Sequence, residues 1–323
     1  MGRSNTKDVV DFDELYIQTQ RCISAFKKRL YQSDHSNILA ALVELLDPLT
    51  KPLSPHDYYL LYITITPSLA AFERFIHNDA FNVDAFTRLT LLVTSPVHRA
   101  YLLILLVTES LHRATHTPTT AISALLTYTH AVAVPLQRLF LLHCLLQKAL
   151  PFVAADPLPF LLASLPLSLA AASDIAASRK SSEDPAPINQ IALRALRHIA
   201  TLPLTPATIR AIFLSLQNTI PTLHKSTQEH FYIILIQTIP LPLVLRCLPE
   251  LLEALTSPYA TTDLKLCLSA LLENLPHAPP GDRVDVLPLL RNKIFASHAT
   301  GTSANDVAIL LVHVLRTSFM WYP

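Results

Sequence analysis

Apolar residues recur along this chain at three- and four-residue spacings. Ile38, Leu42, Leu45, Leu46 and Leu49 fall on one face of a helix. Ile191, Leu193, Leu196 and Ile199 make a second such run, and Leu264, Leu268, Leu271, Leu272 and Leu275 a third. Such spacing buries one stripe of an α-helix, whereas a half-buried strand alternates apolar and polar residues. Clean alternation is nearly absent, and no Asn-Gly or Asp-Gly pair offers a tight hairpin turn. The pattern predicts an all-α chain.

Proline supplies the punctuation. Ser54-Pro55, Thr66-Pro67, Ser95-Pro96, Thr117-Pro118, Asp156-Pro157, Thr205-Pro206 and Ser257-Pro258 each place a capping side chain before a proline. The cap oxygen accepts from a free N–H of the first turn, and proline fits the next position because its missing N–H would be unpaired there. Each pair predicts a helix start. The expected helices cover 9–31, 37–50, 55–65, 67–77, 83–94, 96–114, 118–132, 135–151, 157–172, 187–202, 206–220, 226–239, 241–256, 260–275, 282–297 and 303–319. One helix per roughly 20 residues is the rhythm of stacked helix pairs, so the expected architecture is an α-solenoid of HEAT-like antiparallel pairs. The polar run from Ser173 to Pro187 reads as a loop or linker between helical blocks at 1–172 and 188–323.

Composition narrows the function classes. Of 323 residues, 51% are hydrophobic and 15% charged, so a large core is available and disorder is not expected. Only 3 residues are glycine, which leaves little material for phosphate-cradling loops or nucleophile elbows. A net charge of +1 gives no broad field for nucleic acid or anionic lipid. Cys22, Cys144, Cys247 and Cys267 stand singly, as thiols in a reducing compartment do. The apolar stretch from Pro151 to Ala172 is interrupted by Asp156, Pro157, Pro159 and Pro166, so it reads as a buried helix plus turn, and the expectation is a soluble or peripheral protein.

Candidate chemistry is sparse. His112 and His116 have the i,i+4 spacing of a metal pair, but no acidic residue lies between them, and polar residues at a helix end explain them better. Met1-Gly2-Arg3-Ser4-Asn5-Thr6 fits the loose N-myristoylation pattern, against which an unmodified tail is the simpler reading. Asp11, Asp13 and Glu14 read as a solvated helix N-terminus. No Walker loop, Gly-x-Ser-x-Gly elbow or HExxH helix occurs, so no catalytic, cofactor or metal residues are assigned and no enzyme is expected. What stands out is Arg99 and Tyr101 entering an otherwise apolar helix, because these two residue types are common interface anchors.

Three segments carry a resemblance. Leu53-Ser54-Pro55-His56-Asp57-Tyr58-Tyr59-Leu60-Leu61-Tyr62 is similar to a Leu-Ser-Pro-Lys-x-Tyr-Tyr-Glu-Leu-Tyr stretch of the retromer large subunit, the vacuolar protein sorting-associated protein 35 family. His98-Arg99-Ala100-Tyr101-Leu102 resembles its Pro-Arg-Leu-Tyr-Leu, keeping the Arg, the Tyr and the last Leu. Pro135-Leu136-Gln137-Arg138-Leu139-Phe140-Leu141 resembles its Pro-Leu-Arg-Gly-Leu-Phe-Leu, with Leu145-Leu146-Gln147 and Leu150-Pro151 following suit. The three occur in the family's order at similar spacings, over about residues 10–151.

That resemblance implies a non-catalytic scaffold in retrograde transport from endosomes to the Golgi or plasma membrane. It implies a cytoplasmic location, peripheral on endosomal membranes and touching membrane only indirectly. The N-terminal helices would bind the arrestin-like subunit (vacuolar protein sorting protein 26), with Arg99, Tyr101, Leu102 and Leu103 supporting the contact. Sorting nexins and cargo tails are further implied partners. The family's long second half, which holds the phosphoesterase-fold subunit, has no counterpart after Pro323, so that subunit is not expected to bind this chain. Two other classes compete: another solenoid coat, adaptor or HEAT-type scaffold, and an all-α enzyme with a polar pocket.

Overall fold

The computed structural model describes residues 11–30, 35–78, 81–113, 117–178, 186–216, 218–247 and 251. The chain is all-helical, and no strand occurs among the described residues. It divides into two compact units, residues 1–156 and 157–323. The first holds α1 (Phe12–Leu30), α2 (His35–Leu46), α3 (Pro55–Ile76), α4 (Val83–Leu91), α5 (Pro96–His112), α6 (Pro118–His130) and α7 (Pro135–Ala149). Tight 3-10 turns run over Asp47–Thr50 and Leu150–Val153. The second holds α8 (Leu158–Ser178), α9 (Ala186–Ala192), α10 (Arg194–Ala200), α11 (Pro206–Leu216), α12 (Lys225–Thr238) and α13 (Leu241–Arg246), with a 3-10 turn over Ile220–Thr222.

The caps work largely as their residue types dictate. The Ser54 hydroxyl accepts from the Asp57 N–H at 3.1 Å and donates to the Asp57 carboxylate at 2.7 Å. Ser95 accepts from His98 N–H at 3.4 Å and Thr205 from Thr208 N–H at 3.2 Å. Asp11 accepts from Asp13 N–H at 3.1 Å, and Asp11, Asp13 and Glu14 are exposed at the start of α1. Thr117 precedes a helix without capping it, its hydroxyl pairing with that of Thr120.

Two prolines do not stop their helices. The expected pair 55–65 and 67–77 is one helix, α3, running through Pro67, and α8 runs through Pro166. Proline at position 67 removes one bond to the Ile63 carbonyl, and both Ile63 and Pro67 are exposed, so water can take the carbonyl. The expected linker also begins later: Ser173 to Ser178 continue α8, because Ala171, Ala172, Ser173 and Ile175 are buried. The division between the two compact units lies before α8, at 156/157. The expected single helix 187–202 is broken at Leu193 into α9 and α10. Ser257-Pro258, Cys267, the expected helices 260–275, 282–297 and 303–319, and the Met1–Thr6 pattern lie outside the described residues.

In the first unit, helices adjacent in sequence pack together, α1 on α2, α4 on α5, α5 on α6 and α6 on α7. Alternate helices also touch, α1 with α3, α3 with α5 and α5 with α7. Side-chain pairs give the direction. Tyr58 meets Phe140, Tyr62 meets His143, and Glu73 pairs with Lys148. Tyr62 meets Tyr101 and His77 meets Glu109. Residue numbers rise together in every case, so α3, α5 and α7 run parallel, with the core between them. Most of α5 is buried.

A buried glutamine closes one end of this layer. Gln137, 6% exposed, donates from Nε2 to the carbonyls of Leu49 and Thr50, both at 3.2 Å. Gln137→Leu roughly keeps the volume and removes the donor, leaving the buried Leu49 carbonyl unpaired. We expect a loss of about 1–3 kcal/mol, read as a fall in thermal midpoint, while exposed Gln147→Leu changes little. Equal midpoints for the two variants would contradict the assignment.

In the second unit α8 is the hub, packed by α9, α10, α11 and α12. By length and composition it could cross a membrane, with 56% of its most apolar stretch buried. Its contacts with four helices account for that apolarity. Gln228 repeats the glutamine device, donating to the carbonyls of Ile220 at 2.8 Å and Leu223 at 3.0 Å.

Candidate functional site

Arg99, Tyr101, Leu102 and Leu103 lie in the first turns of α5, started by the Ser95 cap and Pro96. Their environments differ. Tyr101 and Leu102 are fully buried and Leu103 is 9% exposed. Tyr101 sits in an aromatic cluster with Tyr62 (ring centroids 6.4 Å), which also meets Phe140 (5.0 Å) and His143. Tyr58 is stacked on Phe140 at 4.8 Å. Burial pushes the Tyr58 and Tyr101 hydroxyls well above the usual phenol range. The two bear on each other's ionisation, though neither has a well-formed hydrogen-bond partner. Cys144 is in the same core, and burial raises its thiol to about 12, which makes it an inert packing group.

Arg99 alone of the four reaches the surface. Its Nη1 donates to the Leu91 carbonyl at 3.4 Å, tying α5 to the end of α4, and its guanidinium carbon lies 5.6 Å from the centre of the Tyr128 ring on α6. Its Nε is buried without a partner. The guanidinium is therefore braced on two neighbouring helices. Beside it, Leu91 and Leu92 are 53% and 77% exposed. Sequence reading passed over these leucines. Their signal was an apolar pair at a helix end, just ahead of Thr94-Ser95-Pro96, where the amphipathic stripe of α4 had already been filled by Val83, Phe86 and Thr90.

The far ends of α3, α5 and α7 meet at a second feature, a cleft of about 420 Å³. Its floor holds Leu105, Thr108 and the buried carboxylate of Glu109, and its rim includes Glu73, Arg74, His77, His112, Lys148 and Phe152. Arg113 organises the floor. Its Nε donates to Glu109 Oε1 at 2.9 Å, Nη1 to the Phe81 carbonyl at 3.1 Å, and Nη2 to the carbonyls of Ile76 and Asn78 at 2.6 and 3.1 Å. His77 Nδ1 lies 3.2 Å from Glu109 Oε2, and Lys148 pairs with Glu73. The carboxylates are thus matched by the protein's own cations, at helix C-termini where cations are favoured.

His112 packs edge-on against Phe152 at 4.6 Å and against His77 at 5.8 Å. Its suggested partner His116 lies outside the described residues. No group of three or more metal-type ligands occurs among the described residues. Arg99 is thus at the surface near the N-terminal end of α5, Tyr101, Leu102 and Leu103 are core beneath it, and the charged cleft is separate, at the C-terminal end of the helix. No protein-family model and no curated protein matches this chain.

Proposed function

We propose that this chain is a non-catalytic scaffold of the retromer large-subunit type, a HEAT-like solenoid that binds the arrestin-like subunit beside the N-terminal end of α5. One observation carries the reading. The three segments that resemble the family, 53–62, 98–102 and 135–141, lie in sequence on α3, α5 and α7, and their aromatic residues converge in one cluster. Tyr58 and Tyr62 of the first, Tyr101 of the second and Phe140 of the third are joined through ring contacts of 4.8 to 6.4 Å.

In this reading the cluster fixes the layer, and Arg99 is the group that meets the partner. Its bracing by Leu91 and Tyr128 limits the side-chain entropy lost on binding. A carboxylate on the partner would make charge-assisted hydrogen bonds to it, and Leu91 and Leu92 would supply apolar contact. The role belongs to endosome-associated cytoplasmic transport, with sorting nexins and cargo tails as further partners.

The test is a pull-down of the chain with the cognate arrestin-like and phosphoesterase-fold subunits. We expect capture of the arrestin-like subunit, reduced roughly tenfold or more by Arg99→Ala, in line with loss of a charged interface anchor worth ~2 kcal/mol. The variant's helical circular dichroism and thermal midpoint should stay close to the parent's. No capture by the folded parent would leave a helical scaffold of another type, such as a different coat or adaptor.

A further inference from the structure

His98 stands next to Arg99 but does something different. It is 4% exposed, in the first turn of α5, and packs on the Asp47–Thr50 turn. The Leu46 carbonyl and the Asp47 carboxylate lie close enough to bear on its ionisation, and its Nε2 is buried with no partner. The same turn is held from α7 by Gln137, which donates to Leu49 and Thr50. The 46–50 segment is therefore fastened by two side chains, one from α5 and one from α7. Of these, only the histidine can change its charge near neutral pH.

We propose that His98 is an acid-sensitive latch that holds the Asp47–Thr50 turn against the N-terminal end of α5 when neutral and releases it when protonated. Three features oppose the charged ring. It is buried. Protonation would give Nε2 an N–H with no acceptor in reach. The ring also lies in the first turn of a 17-residue helix, where the backbone N–H groups make the potential positive. The ionisable groups that bear on it are Asp47 and Lys51. No such group of α3, α4, α6 or α7 among the described residues does so. Asp47 and the Leu46 carbonyl favour the charged ring, but Asp47 is already paired with Lys51 at 2.9 Å. Burial is the dominant influence and holds the imidazole below its ordinary range.

The sign follows. In the open form the ring takes up a proton near its ordinary value of about 6.5, while in the latched form it does so only at lower pH. Above that ordinary value both forms are neutral and the latch has its full strength. As pH falls from there through the depressed folded value, the open form binds the proton better and the latch weakens. His198 on α10 is also lowered, by partial burial and then Arg194, so the second unit has a pH response of its own and the test must be local.

Hydrogen exchange on the full chain at pH 7.4 and 5.5, corrected for intrinsic exchange, provides that test. In the parent, amides of 47–51 and 96–101 should lose protection at pH 5.5 by about threefold or more relative to α6, a local opening linked to proton uptake. In His98→Gln, which keeps a polar side chain there but does not titrate, the loss should disappear. Equal protection at both pH values in the parent, or the same loss in His98→Gln, would overturn the latch. Should His98→Gln fail to fold, imidazole NMR of the parent decides. A His98 ring that takes up its proton below the ordinary histidine range supports the proposal, and one that titrates at or above that range defeats it.

Discussion

Replacing Arg113 with alanine is expected to cost the first unit about 3 kcal/mol, within the range for stranding a buried charge by removing its partner. The side chain is half-buried and has four acceptors: Glu109 and the carbonyls of Ile76, Asn78 and Phe81. Glu109, with its side chain 6% exposed, would keep only the exposed His77 beside it, and the carbonyls at the end of α3 would lose their donor. Lysine should rescue only part of the loss, because one ammonium cannot span acceptors that the planar guanidinium reaches at once. Glu109→Gln removes the charge that Arg113→Ala would strand. The double variant should therefore be less destabilised than the two single losses added together. Chemical denaturation followed by circular dichroism measures all four variants. A loss within about 0.5 kcal/mol for Arg113→Ala would place it with ordinary surface substitutions.

The second large effect belongs to Phe140. It is fully buried and touches Tyr58 at 4.8 Å and Tyr62 at 5.0 Å, so it connects α7 to α3 at the centre of the aromatic cluster. Phe140→Ala is expected to cost roughly 3–5 kcal/mol, the transfer energy of the ring plus the cavity it leaves. Phe140→Leu, which fills most of that volume, should cost less than about 1.5 kcal/mol. Near-ultraviolet circular dichroism of the tyrosines should collapse in the alanine variant at temperatures where the leucine variant keeps its signal. Similar melting of the two would mean that the ring does not set the packing of this layer.

These two residues differ in how visible they were beforehand. Phe140 stood in an apolar helical run and in a family-like segment, so its place in the core was legible. Arg113 had no local signal, because three of its four bonds go to residues 32 to 37 positions away. Gln137 is the same case, with carbonyl partners 87 and 88 positions away. In the candidate site, Arg99 was legible as an unusual charge entering an apolar helix. The structure separates it from Tyr101, Leu102 and Leu103, which are core, and sets it beside Leu91 and Leu92, which no motif marked.

The sequence by itself determined the helical class, most helix starts and the apolar faces. The forces behind them act within about four residues: a serine cap on the next turn, a proline at the first helical position, an apolar stripe at helical spacing. Tertiary structure decided the rest. It let α3 pass through Pro67, because the orphaned carbonyl faces solvent, and it extended α8 to Ser178, because Ser173 and Ile175 found burial. It also made α3, α5 and α7 parallel, and so brought Tyr58, Tyr101 and Phe140 together and gave Arg113 its partners. Those outcomes depend on which surfaces meet across tens of residues, and the free energy of burial and of satisfied polar groups selects among them.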